Sequence, residues 1–213
     1  MIKLIQAACQ WGKKDYDGWV IGKARYCIRN RAQPVAYESV PRKSIPGYVQ
    51  LETVAYSAGG LPCQTLEICL VDTGDSGPAG HFKIPEAPRL SAKAGSSDTQ
   101  TAGAPSRAGL PPPLTMTFSS KGLQQFLSVS GDTNPIHLGP GAVIPGLWIL
   151  GRLDEIYGRL SPARTLSIRF LSPVHTDDFV RLMQKGNRVT GTVGNITCFT
   201  MTIHTPDQTI KRR

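Results

Sequence analysis

Ile144-Pro145-Gly146-Leu147-Trp148-Ile149-Leu150-Gly151-Arg152-Leu153-Asp154-Glu155-Ile156-Tyr157-Gly158 is the stretch on which the fold turns. A proline before the first turn, no proline inside and a glycine after the last turn predict a helix over Leu147–Tyr157. Its apolar residues cover more than one face, which suits a helix buried against a sheet. Downstream, Thr165–Phe170, Phe179–Gln184, Val189–Val193 and Cys198–His204 read as strands. Ser172-Pro173, Gly186-Asn187 and Gly194-Asn195 supply the turns between them. Upstream, Leu114–Phe118 reads as a further strand, and Ser119 or Ser120 caps a short helix over Lys121–Val129. A long apolar helix with an antiparallel meander predicts an α+β unit, a curved sheet wrapped around one helix.

The same order is met about a hundred residues earlier. Ile45-Pro46-Gly47 opens the apolar stretch Tyr48–Ala58, which ends in Gly59-Gly60, and by the same signals reads as a helix. Pro62-x-x-Thr65-Leu66-x-Ile68 then matches Pro162-x-x-Thr165-Leu166-x-Ile168. Two elements matched at nearly one offset point to a duplication. Between the halves, residues 91–113 are rich in Ser, Ala, Gly, Thr and Pro and poor in large apolar side chains, a linker composition. The expected organisation is a degenerate first half at 1–90, a flexible linker at 91–113 and a second half at 114–213. Gly74–Gly80 interrupts the later strands of the first half.

Composition narrows the function classes. The chain has 213 residues, 40% hydrophobic and 18% charged, the profile of a soluble globular protein. No run approaches the ~18 consecutive apolar residues of a membrane span, and the N-terminus has no signal-peptide architecture. A cytoplasmic protein is therefore expected. The five cysteines, Cys9, Cys27, Cys63, Cys69 and Cys198, form no Cys-x-x-Cys pair and read as reduced thiols. No metal site is expected. The net charge of +9 is not arranged in runs, apart from Lys211-Arg212-Arg213, and is not interleaved with aromatic residues. This argues against nucleic acid and leaves three readings: a basic surface kept for solubility, a phosphate-bearing handle, or an acidic carrier protein as partner.

The chemistry concentrates in Ser130-Gly131-Asp132-Thr133-Asn134-Pro135-Ile136-His137. Asp132 and His137 lie five residues apart around a proline, so no regular helix joins them, but a turn there could aim both into one cavity. From the residues alone, a plain Asx-turn remains the alternative.

Phe126 to His137, with Gly131-Asp132-Thr133-Asn134-Pro135-Ile136-His137 at its end, closely resembles the signature of the MaoC-like (R)-specific enoyl-CoA hydratases and dehydratases. The resemblance implies a hot-dog fold acting on thioesters, with Asp132 and His137 as the acid–base pair and Asn134 orienting the loop or a water. Two features depart from that pattern. Gly139 stands where an Asp is usual, and only eight residues separate His137 from Gly146. That spacing resembles the 3-hydroxyacyl-carrier-protein dehydratases, also hot-dog enzymes, and so does the first half from Ile45 to Gly59.

By this second resemblance Glu52 falls at a catalytic Glu position, where it is more readily a relic or a tunnel-lining group, and Glu38 or Ser39 stands near the missing His. A double hot-dog, two curved antiparallel sheets each wrapped around a central helix with the first half degenerate, is the fold implied. The Gly146 N–H would bind the thioester oxygen, with Ile144, Pro145, Gly47 and Glu52 near the substrate. No cofactor is implied beyond the coenzyme A or phosphopantetheine arm of the substrate itself. The expected activity is reversible dehydration of 3-hydroxyacyl thioesters in fatty acid, polyketide or related metabolism. The expected partners are acyl-CoA or acyl-ACP and an acyl carrier protein, in a monomeric double hot-dog or a homodimer. Two rivals stay open: a hot-dog thioesterase using Glu52 or Asp154, and a non-catalytic acyl- or carrier-binding subunit.

Overall fold

The computed structural model describes residues 1–11, 16–72, 114–158 and 163–205. A helix α1 (Ile2–Gln10) precedes four strands, β1 (Val20–Ile28), β2 (Pro34–Ile45), β3 (Tyr48–Ser57) and β4 (Pro62–Val71). The second half runs β5 (Leu114–Met116), α2 (Ser120–Ser130), a 3-10 turn at Pro135–His137, α3 (Gly146–Tyr157), β6 (Arg164–Phe170), β7 (Val180–Lys185), β8 (Arg188–Val193) and β9 (Ile196–His204). Every element expected in the second half is present at nearly the expected bounds. The alternation of apolar and polar residues there leaves one face of each strand buried (Leu166 and Ile168, Val180 and Leu182, Phe199 and Met201).

The first half departs from expectation: α1, β1 and β2 are not anticipated by the sequence reading, and the one expected helix is a strand. Tyr48–Ser57 is strand β3, not a helix. Ile45 and Tyr48 are paired across Pro46-Gly47, and Gly47 has φ 73°. Pro-Gly here is the centre of a hairpin turn, in which proline presets φ and glycine accepts the positive φ. Past the turn the residues alternate: Val49, Leu51, Thr53 and Ala55 are buried, while Gln50, Glu52, Val54 and Tyr56 face the other way. That two-residue period, rich in β-branched and aromatic side chains, outweighs the helix punctuation. The helix packed on this part of the sheet is α1, whose Leu4, Ile5 and Ala8 are buried and which contacts β2, β3 and β4.

All nine strands form one antiparallel sheet, where two were expected, in the order β2-β3-β4-β1-β6-β9-β8-β7-β5. The halves meet at β1, which bonds β4 on one side and β6 on the other and so joins them. The matched sequences lie at equivalent places beside it. Leu66 and Leu166 both face Tyr26, Ile68 and Ile168 both face Ala24, and Thr65 and Thr165 both face Cys27. The match at the strand is thus a match of position, while the match at the helix joined a hairpin to a helix. One core cluster runs through both halves, from Leu4 and Leu51 to Leu150, Leu153 and Met201. The expected linker at 91–113, the Gly74–Gly80 interruption and Pro162 lie outside the described residues. Among the described residues, no helix is long and apolar enough to cross a membrane.

Candidate active site

The loop between α2 and α3 is built from its caps. Ser119 accepts from the Gly122 N–H at 3.2 Å and starts α2, and Gly131, left-handed at φ 71°, ends it. The chain then turns through two Asx contacts. The Asn134 N–H donates to Asp132 Oδ1 at 3.0 Å, and the Ile136 N–H donates to Asn134 Oδ1 at 3.3 Å. Asn134 therefore caps the 3-10 turn whose last residue is His137. The turn chemistry and the side-chain convergence, alternatives on paper, are one structure.

His137 is buried at 7% exposure. Its Nδ1 is 2.6 Å from the Val143 carbonyl, which can only accept, so Nδ1 carries the proton. Burial pushes the imidazole pKa below its ordinary 6.5, against the opposing pull of Asp132 and of the Val143 hydrogen bond. In the neutral ring, Nε2 is then a bare acceptor. It faces Asp132 Oδ2 at 3.5 Å, beyond ordinary hydrogen-bond length. Two acceptors turned toward each other need a donor: a proton, or a water or hydroxyl that donates to both. The arrangement is suited to holding a small O–H group and exchanging its proton.

The loop is braced from two sides. The Asn134 amide donates to the Trp19 carbonyl at 2.7 Å and accepts from the Gly18 N–H at 3.2 Å, which ties the second-half loop to the start of β1 in the first half. On the other side His175 Nδ1 bonds the Gly141 carbonyl at 2.7 Å, and Val143 and His175 form a β-bridge. Gly18, Trp19, Val143 and His175 are invisible to motif reading. Three act through their backbones, and His175 is a lone imidazole 38 residues from His137.

The remaining expected site residues divide. Pro145 is the N-cap of α3. The helix bonding starts with Trp148 and Ile149 donating to its carbonyl, so the Gly146 and Leu147 N–H groups have no intrahelical acceptor. Gly146 is packed against Phe170: a Cβ there would lie 2.9 Å from the ring. Glycine at this position is thus already explained by the ring. Ile144 is buried in the core, with its N–H on the Val174 carbonyl at 2.7 Å.

Gly47 lies in the β2–β3 hairpin turn, where its carbonyl accepts from the Asp72 N–H. With β3 a strand, Glu52 points away from the buried face and pairs with Arg42. Glu38 accepts from the Tyr56 hydroxyl at 3.3 Å, and Ser39 bonds the Ala7 carbonyl of α1 at 3.0 Å. Asp154 pairs with the buried Arg164. Among the described residues, no group of three His, Cys, Asp or Glu side chains could hold a metal ion.

No family model matches the chain, and no curated protein matches it. Solved structures do. HtdX of Mycobacterium tuberculosis superposes with a TM-score of 0.60 at 15% identity, over 95% of this chain and 84% of that one. A MaoC-like dehydratase from Phytophthora capsici gives 0.51 at 15% identity, over 88% and 72%. An acyl-ACP thioesterase from Bacteroides thetaiotaomicron gives 0.51 at 9% identity, over 90% and 79%. At these identities the likeness concerns the fold: this chain has the α+β hot-dog architecture found in MaoC-like dehydratases and in acyl-thioester hydrolases.

Proposed function

We propose that the chain reversibly dehydrates 3-hydroxyacyl thioesters to trans-2-enoyl thioesters, with Asp132 and His137 as the acid–base pair. The observation that carries the reading is the convergence of His137 Nε2 and Asp132 Oδ2 at 3.5 Å, with the other imidazole nitrogen tied to a carbonyl. In the hydration direction a water donates to both groups. Its oxygen bonds to C3 of the enoyl thioester, one of its protons passes to the pair, and that proton is delivered to C2. Dehydration runs the same steps backward: the pair takes the C2 proton and returns it to the departing hydroxyl. No proton is gained or lost overall.

Negative charge builds on the thioester oxygen during either direction. The free N–H groups at the first turn of α3, Gly146 foremost, supply donors and the positive end of the helix dipole. Asn134 acts as a positioning residue, since its amide contacts go to backbone groups. The carrier is coenzyme A or the phosphopantetheine arm of a carrier protein.

The rival hydrolysis reading needs a carboxylate free to activate water. Asp154 and Glu52, its two candidates, are each engaged by an arginine. The test is direct: a purified hydratase removes enoyl absorbance without releasing free thiol, whereas a thioesterase releases thiol.

A further inference from the structure

The face of the sheet turned away from the helices carries its charges in rows. One row crosses β3, β4 and β1 as Glu52, Glu67 and Arg25, and Arg42 reaches Glu52 from the register shift in β2. Glu52 and Glu67 are opposite each other, and each is paired with an arginine, Arg42 with Glu52 and Arg25 with Glu67 at 3.1 Å. The neighbouring row is Gln50, Cys69, Lys23 and Arg169, and it contains no carboxylate. Lys23 and Arg169 are direct register partners, and no ion pair among the described residues includes either. Like charges directly opposite on adjacent strands are destabilising; in the adjacent row the arginines offset the Glu52–Glu67 pair, whereas Lys23 and Arg169 have no such counter-charge.

Both cations line a cavity of about 240 Å³ with Gly22, Tyr48, Cys69, Val71 and Phe170. A bulge in β1 between Ile21 and Lys23 falls at Gly22, which has no side chain to fill the space. Phe170 ties the cavity to the proposed site, because this residue borders the cavity while its ring packs on Gly146 at the start of α3. Gly22 does so as well, lying three residues after the Trp19 carbonyl that holds Asn134.

We propose that Lys23 and Arg169 form a subsite for a phosphate group on the handle of the thioester substrate. The inference rests on the proposed thioester chemistry and names the part of the substrate this cavity takes. A phosphate matches a guanidinium fork beside an ammonium point charge, and Tyr48 and Val71 offer an apolar wall to the stem that bears it. The phosphate belongs either to coenzyme A or to the phosphopantetheine arm of a carrier protein.

The test compares wild type, Lys23→Gln/Arg169→Gln and, as a control from the paired row, Arg25→Gln. Coenzyme A and a phosphopantetheinylated carrier protein are each titrated by calorimetry, with no turnover required. The double variant is expected to bind at least one of them about tenfold more weakly than wild type, with Arg25→Gln unchanged. Weakening with coenzyme A identifies that source, and weakening with the carrier protein alone identifies the arm. In turnover, kcat/KM for an enoyl-CoA relative to the phosphate-free N-acetylcysteamine thioester falls by about the same factor. Relief of the like-charge pair should leave the double variant's Tm at or above that of wild type, so unfolding does not confuse the result. Equal binding of both probes by wild type and double variant, or no binding of either by wild type, overturns the subsite. If wild type has no hydratase activity yet binding weakens as expected, the hydratase reading falls and the phosphate site stands.

Discussion

At His137 burial prevails over the opposing pull of the Asp132 carboxylate and of the Val143 hydrogen bond. The ring is held neutral, with its free nitrogen available as a base. Replacing either member, by Asp132→Asn or His137→Ala, should lower hydratase kcat/KM by ~10²-fold or more, the usual size of a general acid–base contribution. Near-wild-type activity in either folded variant would remove the assignment. The sign of the pKa shift also fixes a pH effect on stability. Above the ordinary value of 6.5, the ring is neutral in both folded and unfolded chains. As pH falls below it, the unfolded chain takes up a proton that the folded chain resists, so stability declines. Tm should therefore drop more steeply between about pH 7.5 and about pH 5.5 for wild type than for His137→Gln. Parallel curves would show that His137 is not the group responsible.

At the scale of the element, the same tripeptide, Ile-Pro-Gly, opens a helix at Ile144 and closes a hairpin at Ile45. Proline and glycine are compatible with both, so the period of the next ten or so residues decides. Tyr48–Ser57 alternates in twos, and Leu147–Tyr157 does not. Helix punctuation was legible in both places, but only the buried alternation separated them. The loop at Asp132–His137 was legible because its turn chemistry is local to the sequence. Its braces at Trp19, Val143 and His175 were not, since a backbone carbonyl or a distant imidazole leaves no motif.

Packing at two helix positions can be tested in the same way. Gly146→Ala drives a methyl to within 2.9 Å of the Phe170 ring and should cost about 1–3 kcal/mol in denaturant unfolding. Phe170→Leu in the same chain should recover part of that loss, and strict additivity of the two changes would contradict the contact. Asp154→Ala removes the carboxylate that accepts from Nε and Nη2 of the 9%-exposed Arg164 side chain. A loss of about 3 kcal/mol is expected. A hydratase that keeps its kcat in that variant under conditions where it remains folded would confirm a structural role for Asp154.

Across the whole molecule, the two halves are one sheet, joined where β1 bonds both β4 and β6, with one core behind it. The halves were legible as separate pattern blocks. Their sharing of one sheet was not, because strand order depends on long-range pairing that no local pattern specifies. A sheet and core shared in this way should unfold in a single calorimetric transition with matching calorimetric and van't Hoff enthalpies, and two resolved transitions would contradict it. The Asn134 clamp to Gly18 and Trp19 belongs to the same scale, since it lets the first half position a loop of the second.

Water addition across an enoyl thioester is the chemistry this architecture is proposed to support. The most direct measurement follows a trans-2-enoyl-CoA with purified wild type and His137→Ala side by side, reading enoyl absorbance and free thiol together. Rapid loss of absorbance without thiol release is expected in wild type, slowed ~10²-fold in the variant. Thiol release at the rate of absorbance loss, or equal rates in the two proteins, would contradict it.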